Sequence, residues 1–262
     1  MPKRSIVFLM YHELELPRRP ICQDDAGYSR YVLLQSEFVA QMEFLKNNQW
    51  RGLSVAEAIA VPEERCVAIT FDDGCETDLL AAAPVLREAG FNATFFITSG
   101  KLGTAGYLST AQLRELNGLG FEIGCHSRTH PYLTDLDEKG LQCEIWDAKT
   151  ELEQIIGEKV EHFSCPGGRY DGRVVNMARR AGYQTISTSR IHANSQTTNR
   201  FALGRVAVLK GRPLSGFAAI CEGSSLRRMR AQSIFRQAAK RILGNSVYGR
   251  IRARVLDGTN FT

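Results

Sequence analysis

Short runs of β-branched and aromatic residues alternate along the chain with stretches whose apolar positions recur every three or four residues. Strands are predicted over Ser5–Tyr11, Cys66–Phe71, Ala93–Ile97, Glu122–Cys125, His162–Cys165, Thr185–Ser187 and Arg205–Val208. Between them the helical period predicts helices over Glu37–Asn47, Leu79–Ala89, Thr110–Leu119, Glu138–Ile156 and Gly172–Ala181. Gly90, Gly120, Gly157 and Gly182 each follow one of these helices, where a left-handed residue closes the last turn at least cost. Strand and helix in regular alternation are the pattern of βα units around a parallel sheet or barrel. In such folds reactive groups collect at the carboxyl ends of the strands, where the loops converge. That rule selects Tyr11 and His12, Asp72 and Asp73, His126, and Pro166 to Gly168 from all the polar positions.

Composition then narrows the class. A chain of 262 residues, 44% hydrophobic and 23% charged, has the make-up of a globular protein with one sizeable core. No run of 18 apolar residues occurs, so the expectation is a cytoplasmic protein. The seven cysteines are odd in number and form no CxxC pair, which points to neither a disulfide framework nor a thiolate zinc site. Charge is uneven. Nine basic and no acidic residues lie between Arg227 and Arg254, leaving 24 basic against 28 acidic elsewhere. The division expected is a catalytic domain over 1–225 and a basic extension over 226–262. Within the extension, Ile234, Ala238 and Ile242 fall at helical spacing beside Arg236, Lys240 and Arg241. A basic amphipathic segment of this kind suits peripheral contact with an anionic membrane at the inner face of the cell membrane, or packing on the barrel with its basic face in water. The run carries no known nucleic-acid reading motif, so no nucleic-acid partner is expected.

The chemistry centres on two stretches. Cys66-Val67-Ala68-Ile69-Thr70-Phe71 runs into Asp72-Asp73-Gly74, setting two carboxylates side by side after an apolar strand. Their mutual repulsion is relieved if a divalent cation binds one and leaves the other as a base. His126-Ser127-Arg128-Thr129-His130 adds two imidazoles four residues apart, donors suited to zinc, cobalt, nickel or iron. One carboxylate with two histidines leaves positions open on the metal, as catalysis requires. His162, at the start of its strand, is read as structural.

Thr70-Phe71-Asp72-Asp73-Gly74, His126-Ser127-Arg128-Thr129-His130 and Pro166-Gly167-Gly168 together resemble the first three motifs of the polysaccharide deacetylases, the NodB-homology or family four carbohydrate esterases. The resemblance implies a distorted (β/α)7 barrel and a metal-dependent hydrolase, zinc being the default ion, that takes N-acetyl groups from an amino-sugar glycan or lipid-linked saccharide. It assigns Asp72 as general base and Asp73, His126 and His130 as metal ligands. Leu9-Met10-Tyr11-His12-Glu13 is similar to the permuted poly-N-acetylglucosamine deacetylase branch, which makes His12 the general acid and places Tyr11 beside it at the substrate. His192 is the competing acid. Ser164 stands where many members carry an arginine that orients the base, and Arg205 is the replacement expected. The Gly167 amide, in the turn fixed by Pro166 and Gly168, is expected to donate to the oxyanion. Two other readings keep these residues: an O-acetyl esterase or other amide hydrolase, and a catalytically inactive glycan-binding module.

Overall fold

The computed structural model describes residues 5–243 apart from 20, 24, 26 and 61–64, with side chains as far as 235. Its strands are β1 (Val7–Tyr11), β2 (Glu13–Glu15), β3 (Val32–Leu34), β4 (Arg51–Leu53), β5 (Cys66–Phe71), β6 (Thr94–Ile97), β7 (Glu122–Cys125), β8 (His162–Ser164), β9 (Thr185–Ser187) and β10 (Val206–Ala207). Helices α1 (Gln35–Asn47), α2 (Val55–Ala60), α3 (Ala83–Ala89), α4 (Thr110–Gly118), α5 (Glu138–Leu141), α6 (Ala148–Ile156), α7 (Gly172–Arg180), α8 (Leu214–Cys221) and α9 (Leu226–Leu243) connect and flank them.

The main sheet runs β10-β1-β5-β6-β7-β8-β9, every pair parallel, with β4 beside the start of β5. Its two edges meet through the residues before β10. Leu203 bridges Ser187, and the Thr188 N–H donates to the Leu203 carbonyl at 2.8 Å. The result is the distorted barrel of parallel βα units expected from the sequence. The short pair β2-β3 lies outside it.

Strand side chains alternate between two environments, as a two-residue period demands. Val7, Leu9 and Tyr11 of β1 and Val67, Ile69 and Phe71 of β5 pack outward into the core shared with the helices. Ile6, Phe8, Cys66, Ala68 and Phe96 face inward as a second, smaller cluster. Continuing that inward row past the strand ends brings Thr70, Asp72, Ser164 and Arg205 together at the carboxyl end of the barrel. At the amino end the same row holds His162, whose Nε2 lies 3.3 Å from Glu122 and whose Nδ1 lies 2.9 Å from Thr185 Oγ1. A cavity of about 310 Å³ opens there, lined by Glu122, Glu158 and His162, far along the strands from Asp72.

Two expected helices are interrupted. The stretch beginning at Leu79 opens as a wide five-residue turn, Asp78–Ala82, before α3, and the one from Glu138 to Ile156 is α5, a wide turn over Gln142–Asp147, and α6. Such turns replace the helical hydrogen bond by a longer one and re-aim the side chains on them. Each carries a buried carboxylate, Asp78 and Glu144. All four glycines expected to close helices have positive φ. In α9, Leu226 is buried and Met229 packs against the core, whereas Ile234 and Phe235 are exposed. The rest of the basic amphipathic stretch lies beyond the described side chains. No helix among the described residues is long and apolar enough to cross a membrane.

Candidate active site

Asp72 leaves β5 on the inward side and is 2% exposed. Arg205, 1% exposed, grips it with two parallel hydrogen bonds, Nη1 to Oδ1 at 2.6 Å and Nη2 to Oδ2 at 2.7 Å. The guanidinium also donates to Ser164 Oγ (2.8 Å), Thr70 Oγ1 (3.2 Å) and the Thr188 carbonyl (3.2 Å). A planar fork on a carboxylate fixes orientation as well as charge. Burial alone pushes the Asp72 carboxyl up, but the Arg205 guanidinium, helped by His126, holds it well below the usual carboxylate range. Ser164, standing where a cation was expected, is thus a hydrogen-bond partner of the arginine that arrives from the other edge of the barrel.

Asp73 turns away from this pair through a backbone with φ 82°, and Ser127 (65°) and His130 (66°) are likewise left-handed. Non-glycine residues rarely adopt this region, and such positions gather where the surroundings hold them for a purpose. His126 Nε2 lies 3.6 Å and His130 Nε2 3.5 Å from Asp73 Oδ1, so the three side chains converge. His126 Nδ1 sits 2.8 Å from the Ser164 carbonyl, which takes its N–H and turns the Nε2 lone pair to the centre. Glu144, from the second wide turn, accepts from the Arg128 and Thr129 N–H groups (2.9 and 2.8 Å) and Thr129 Oγ1 (2.6 Å). Ser127 Oγ accepts from the His130 N–H at 3.0 Å. The histidine loop is therefore pinned from behind.

Burial lowers His126 to about 3 and also lowers His130, leaving both as neutral donors at pH 7. Burial, then the charges of Asp72 and Glu13, push Asp73 up to about 7. A buried carboxylate destabilised by its own neighbours, facing two neutral imidazoles, fits a divalent cation of the zinc type.

His12 follows β1 on the same inward side. Burial lowers it to about 4, and the charge of Asp72 is the largest influence pulling it back up. Its ring lies 4.5 Å from that of Tyr31, and its Nδ1 is buried without a hydrogen-bond partner among the described residues. His192, the rival acid, rests its ring on Gly204, with Nδ1 3.1 Å from the Ala193 carbonyl. Tyr11 requires correction. It points outward, 0% exposed, packed on Phe38 and Phe71 with its hydroxyl donating to Gln41 Oε1 at 2.8 Å. Adjacent strand residues face opposite ways, so a Tyr11 beside helix α1 accompanies a His12 at the site.

Pro166–Gly168 forms a single tight turn with Gly167 at φ 60° and Gly168 at φ 70°. A Cβ on Gly167 would come within 2.8 Å of the Tyr132 ring, and one on Gly168 within 2.6 Å of Ser189. Tyr132 is 47% exposed, with the Arg169 guanidinium 3.9 Å above its ring. It had not been singled out, although an aromatic two residues beyond His130 was a readable signal. Glu13, Cys22 and Cys75 also bring their ligand atoms within 4.8 Å of one another. Cys22 and Cys75 lie far apart in sequence, beyond any spacing motif.

The family description "Polysaccharide deacetylase" matches residues 60–186. The Bacillus subtilis protein YxkH, itself named as a polysaccharide deacetylase, is 32% identical over 224 residues, which are 83% of this chain and 76% of that protein. The chain belongs to the polysaccharide deacetylase family. It is accordingly an N-deacetylase hydrolase of the carbohydrate esterase kind. The peptidoglycan-N-acetylglucosamine deacetylase of Bacillus cereus is 35% identical over 124 residues, covering 47% of this chain and 56% of the relative. Among solved structures, the Streptococcus pyogenes deacetylase PplD superposes with a TM-score of 0.75 at 22% identity, over 84% of this chain and 99% of that one. IcaB from Ammonifex degensii gives 0.70 at 24%, over 84% and 97%. At these identities the two share the fold.

Proposed function

We propose that this deacetylase removes acetyl groups from the nitrogen of an amino-sugar glycan or lipid-linked saccharide in exopolysaccharide or cell-envelope synthesis, with a divalent metal, zinc by default, on Asp73, His126 and His130. The observation that carries the reading is Asp72, locked by Arg205 beside a separate carboxylate and two neutral imidazoles. A cation bound there polarises the acetyl carbonyl and makes water acidic enough to lose a proton near neutral pH.

The chain's own groups divide the remaining work. Asp72 stays ionised through the neutral range and takes the proton of the attacking water, its direction set by the guanidinium fork. The Gly167 N–H, offered from a turn that only glycine enters easily, donates to the oxygen that becomes negative. His12 gives a proton to the departing sugar nitrogen. Burial keeps it neutral at rest, so the proton it gives is one it first takes up from solvent as negative charge grows beside it. Tyr132, exposed next to Gly167, offers a flat apolar face to a sugar ring.

Arg205 argues against reading the protein as an inactive glycan-binding module, since it offers an orienting cation from the residue before β10. The proposal includes a cytoplasmic location with the basic tail on an anionic membrane. The sequence charge run and the exposed Ile234 and Phe235 support it; equal co-sedimentation with anionic and neutral vesicles would remove the tail's part. The catalytic reading is tested with N-acetylglucosamine oligomers by following acetate and free amine together. Equal amounts of both are expected. Acetate without amine, from an O-acetylated sugar only, would assign the site to ester hydrolysis instead.

A further inference from the structure

Beside the catalytic turn lies a second concentration of ligand groups. Cys75 follows Asp72-Asp73-Gly74 directly, and Cys22 comes from the segment after β2. With Glu13 of β2 their ligand atoms fall within 4.8 Å of one another. Neither cysteine is in a disulfide. Asp78, at the start of the first wide turn, is 1% exposed and neither of its carboxylate oxygens has a hydrogen-bond partner among the described residues. Burial pushes its carboxyl well above the usual carboxylate range, and Cys22, Asp73 and Glu13, when ionised, add to that push. A buried carboxylate left without donors is costly unless a cation or a proton neutralises it.

We infer that Glu13, Cys22 and Cys75, with Asp78 behind them, form a second, thiolate-containing site for a zinc-type cation that braces the catalytic turn. Two sulfurs and a carboxylate suit zinc and its softer neighbours rather than magnesium or calcium. Tetrahedral zinc bonds of about 2.3 Å to sulfur place ligand atoms about 3.8 Å apart, so the three groups close in only modestly on the ion. Binding displaces the two thiol protons to water, and Glu13 is ionised as it coordinates.

Hydrogen-bonding groups already stand beside the ligand atoms. The Cys22 N–H donates to both Glu13 oxygens at 3.0 Å, and Tyr28 Oη lies 3.4 Å from Cys75 Sγ. The Cys22 thiol now donates to the Gly106 carbonyl at 2.8 Å. That carbonyl also accepts the Glu76 N–H at 2.8 Å, so losing the thiol proton orphans no acceptor. The ion would draw its three ligands from β2, the segment after it and the catalytic turn. Its effect would be to tie residues 21–23 to the Asp72-Asp73 turn, where Gln23 Nε2 already reaches Asp73 Oδ2 at 3.2 Å.

The inference is independent of which bond the enzyme cleaves, and its test reads ligation. Full-length protein, reduced and stripped with a chelator, is titrated with cobalt(II) in the absence of oxygen. Two ions per chain are expected, one of them bringing a near-ultraviolet thiolate-to-cobalt charge-transfer band. Cys22→Ser, at a partly exposed position, should lose that band and one ion, as should Cys75→Ser. His126→Ala should lose the other ion and keep the band. In wild type, zinc should protect Cys22 from alkylation while the other partly exposed thiol, Cys143, stays reactive. One ion with no thiolate band would overturn the assignment, as would undiminished alkylation of Cys22 in zinc-saturated protein. Recovery of a Cys22–Cys75 disulfide that persists in place of metal would overturn it too.

Discussion

At the scale of single residues, the two adjacent aspartates have been driven to opposite electrostatic states. Asp72 is matched by a guanidinium and stays ionised, while Asp73, a few ångströms on, is raised by burial and by its neighbour's charge. Removing Arg205 leaves Asp72 buried without its cation. Arg205→Met should therefore lose on the order of 3–5 kcal/mol of stability and, in the folded fraction, about 10²–10⁴ in turnover. Urea unfolding and acetate release measure the two effects, and near-wild-type turnover in the folded variant would show that Arg205 orients nothing. Most of this site was legible because the motifs carry it: two carboxylates after an apolar strand and two spaced imidazoles are local patterns. Arg205 was reached as the answer to a missing charge at Ser164. Tyr11 was placed wrongly because its neighbour His12 was chosen without applying strand alternation to the pair. A choice of His12 for the inward side already sends Tyr11 to the helices.

Among the elements, the interruptions of the helices matter more than the helices. The wide turn Gln142–Asp147 presents Glu144 to the backbone behind the histidine loop. Glu144→Ala should still fold around an intact barrel while metal affinity falls by about 10–100-fold, the usual cost of losing a group that positions ligands. Competition with a chromogenic chelator checks this, and unchanged affinity would mean that Ser127 Oγ suffices. These turns were not legible. An apolar stripe continues on both sides of an inserted residue, so periodicity reads through it as one helix from Glu138 to Ile156. Strands β2 and β4 escaped for a different reason, since Glu13-Leu14-Glu15 and Arg51-Gly52-Leu53 hold no β-branched or aromatic residue, and β3 runs directly into α1. The long buried strands and the glycine-closed helices gave the strongest patterns and define the barrel.

For the whole molecule, the site's burial couples stability to pH. The unfolded chain takes up protons at its histidines as pH falls through about 6.5, whereas in the folded chain His12 waits until about 4 and His126 until about 3, and His130 is also lowered. Acidification through that window thus favours unfolding. Asp73 opposes it. Raised to about 7, it is protonated in the folded chain while the unfolded chain is still ionised, so acidification there favours folding. Glu13 and Asp78, raised by burial as well, act with Asp73, so the histidine contribution is read by difference. Between about pH 7 and about pH 5 the urea midpoint of His126→Ala should fall less, or rise more, than that of wild type, and an identical pH response would contradict the burial of His126. The cluster of Glu13, Cys22 and Cys75 also belongs to this scale, because only the closed fold brings together residues so distant in sequence.

The central claim is that Asp73, His126 and His130 hold the metal on which deacetylation depends. Chelator-stripped protein titrated with zinc, with acetate release from an N-acetylglucosamine oligomer followed at each addition, tests it most directly. Turnover should be absent at the start, rise in proportion to occupancy of that site, and fail to appear in His126→Ala at any zinc concentration that leaves the protein folded. Full turnover in the stripped protein, or in folded His126→Ala, would contradict it.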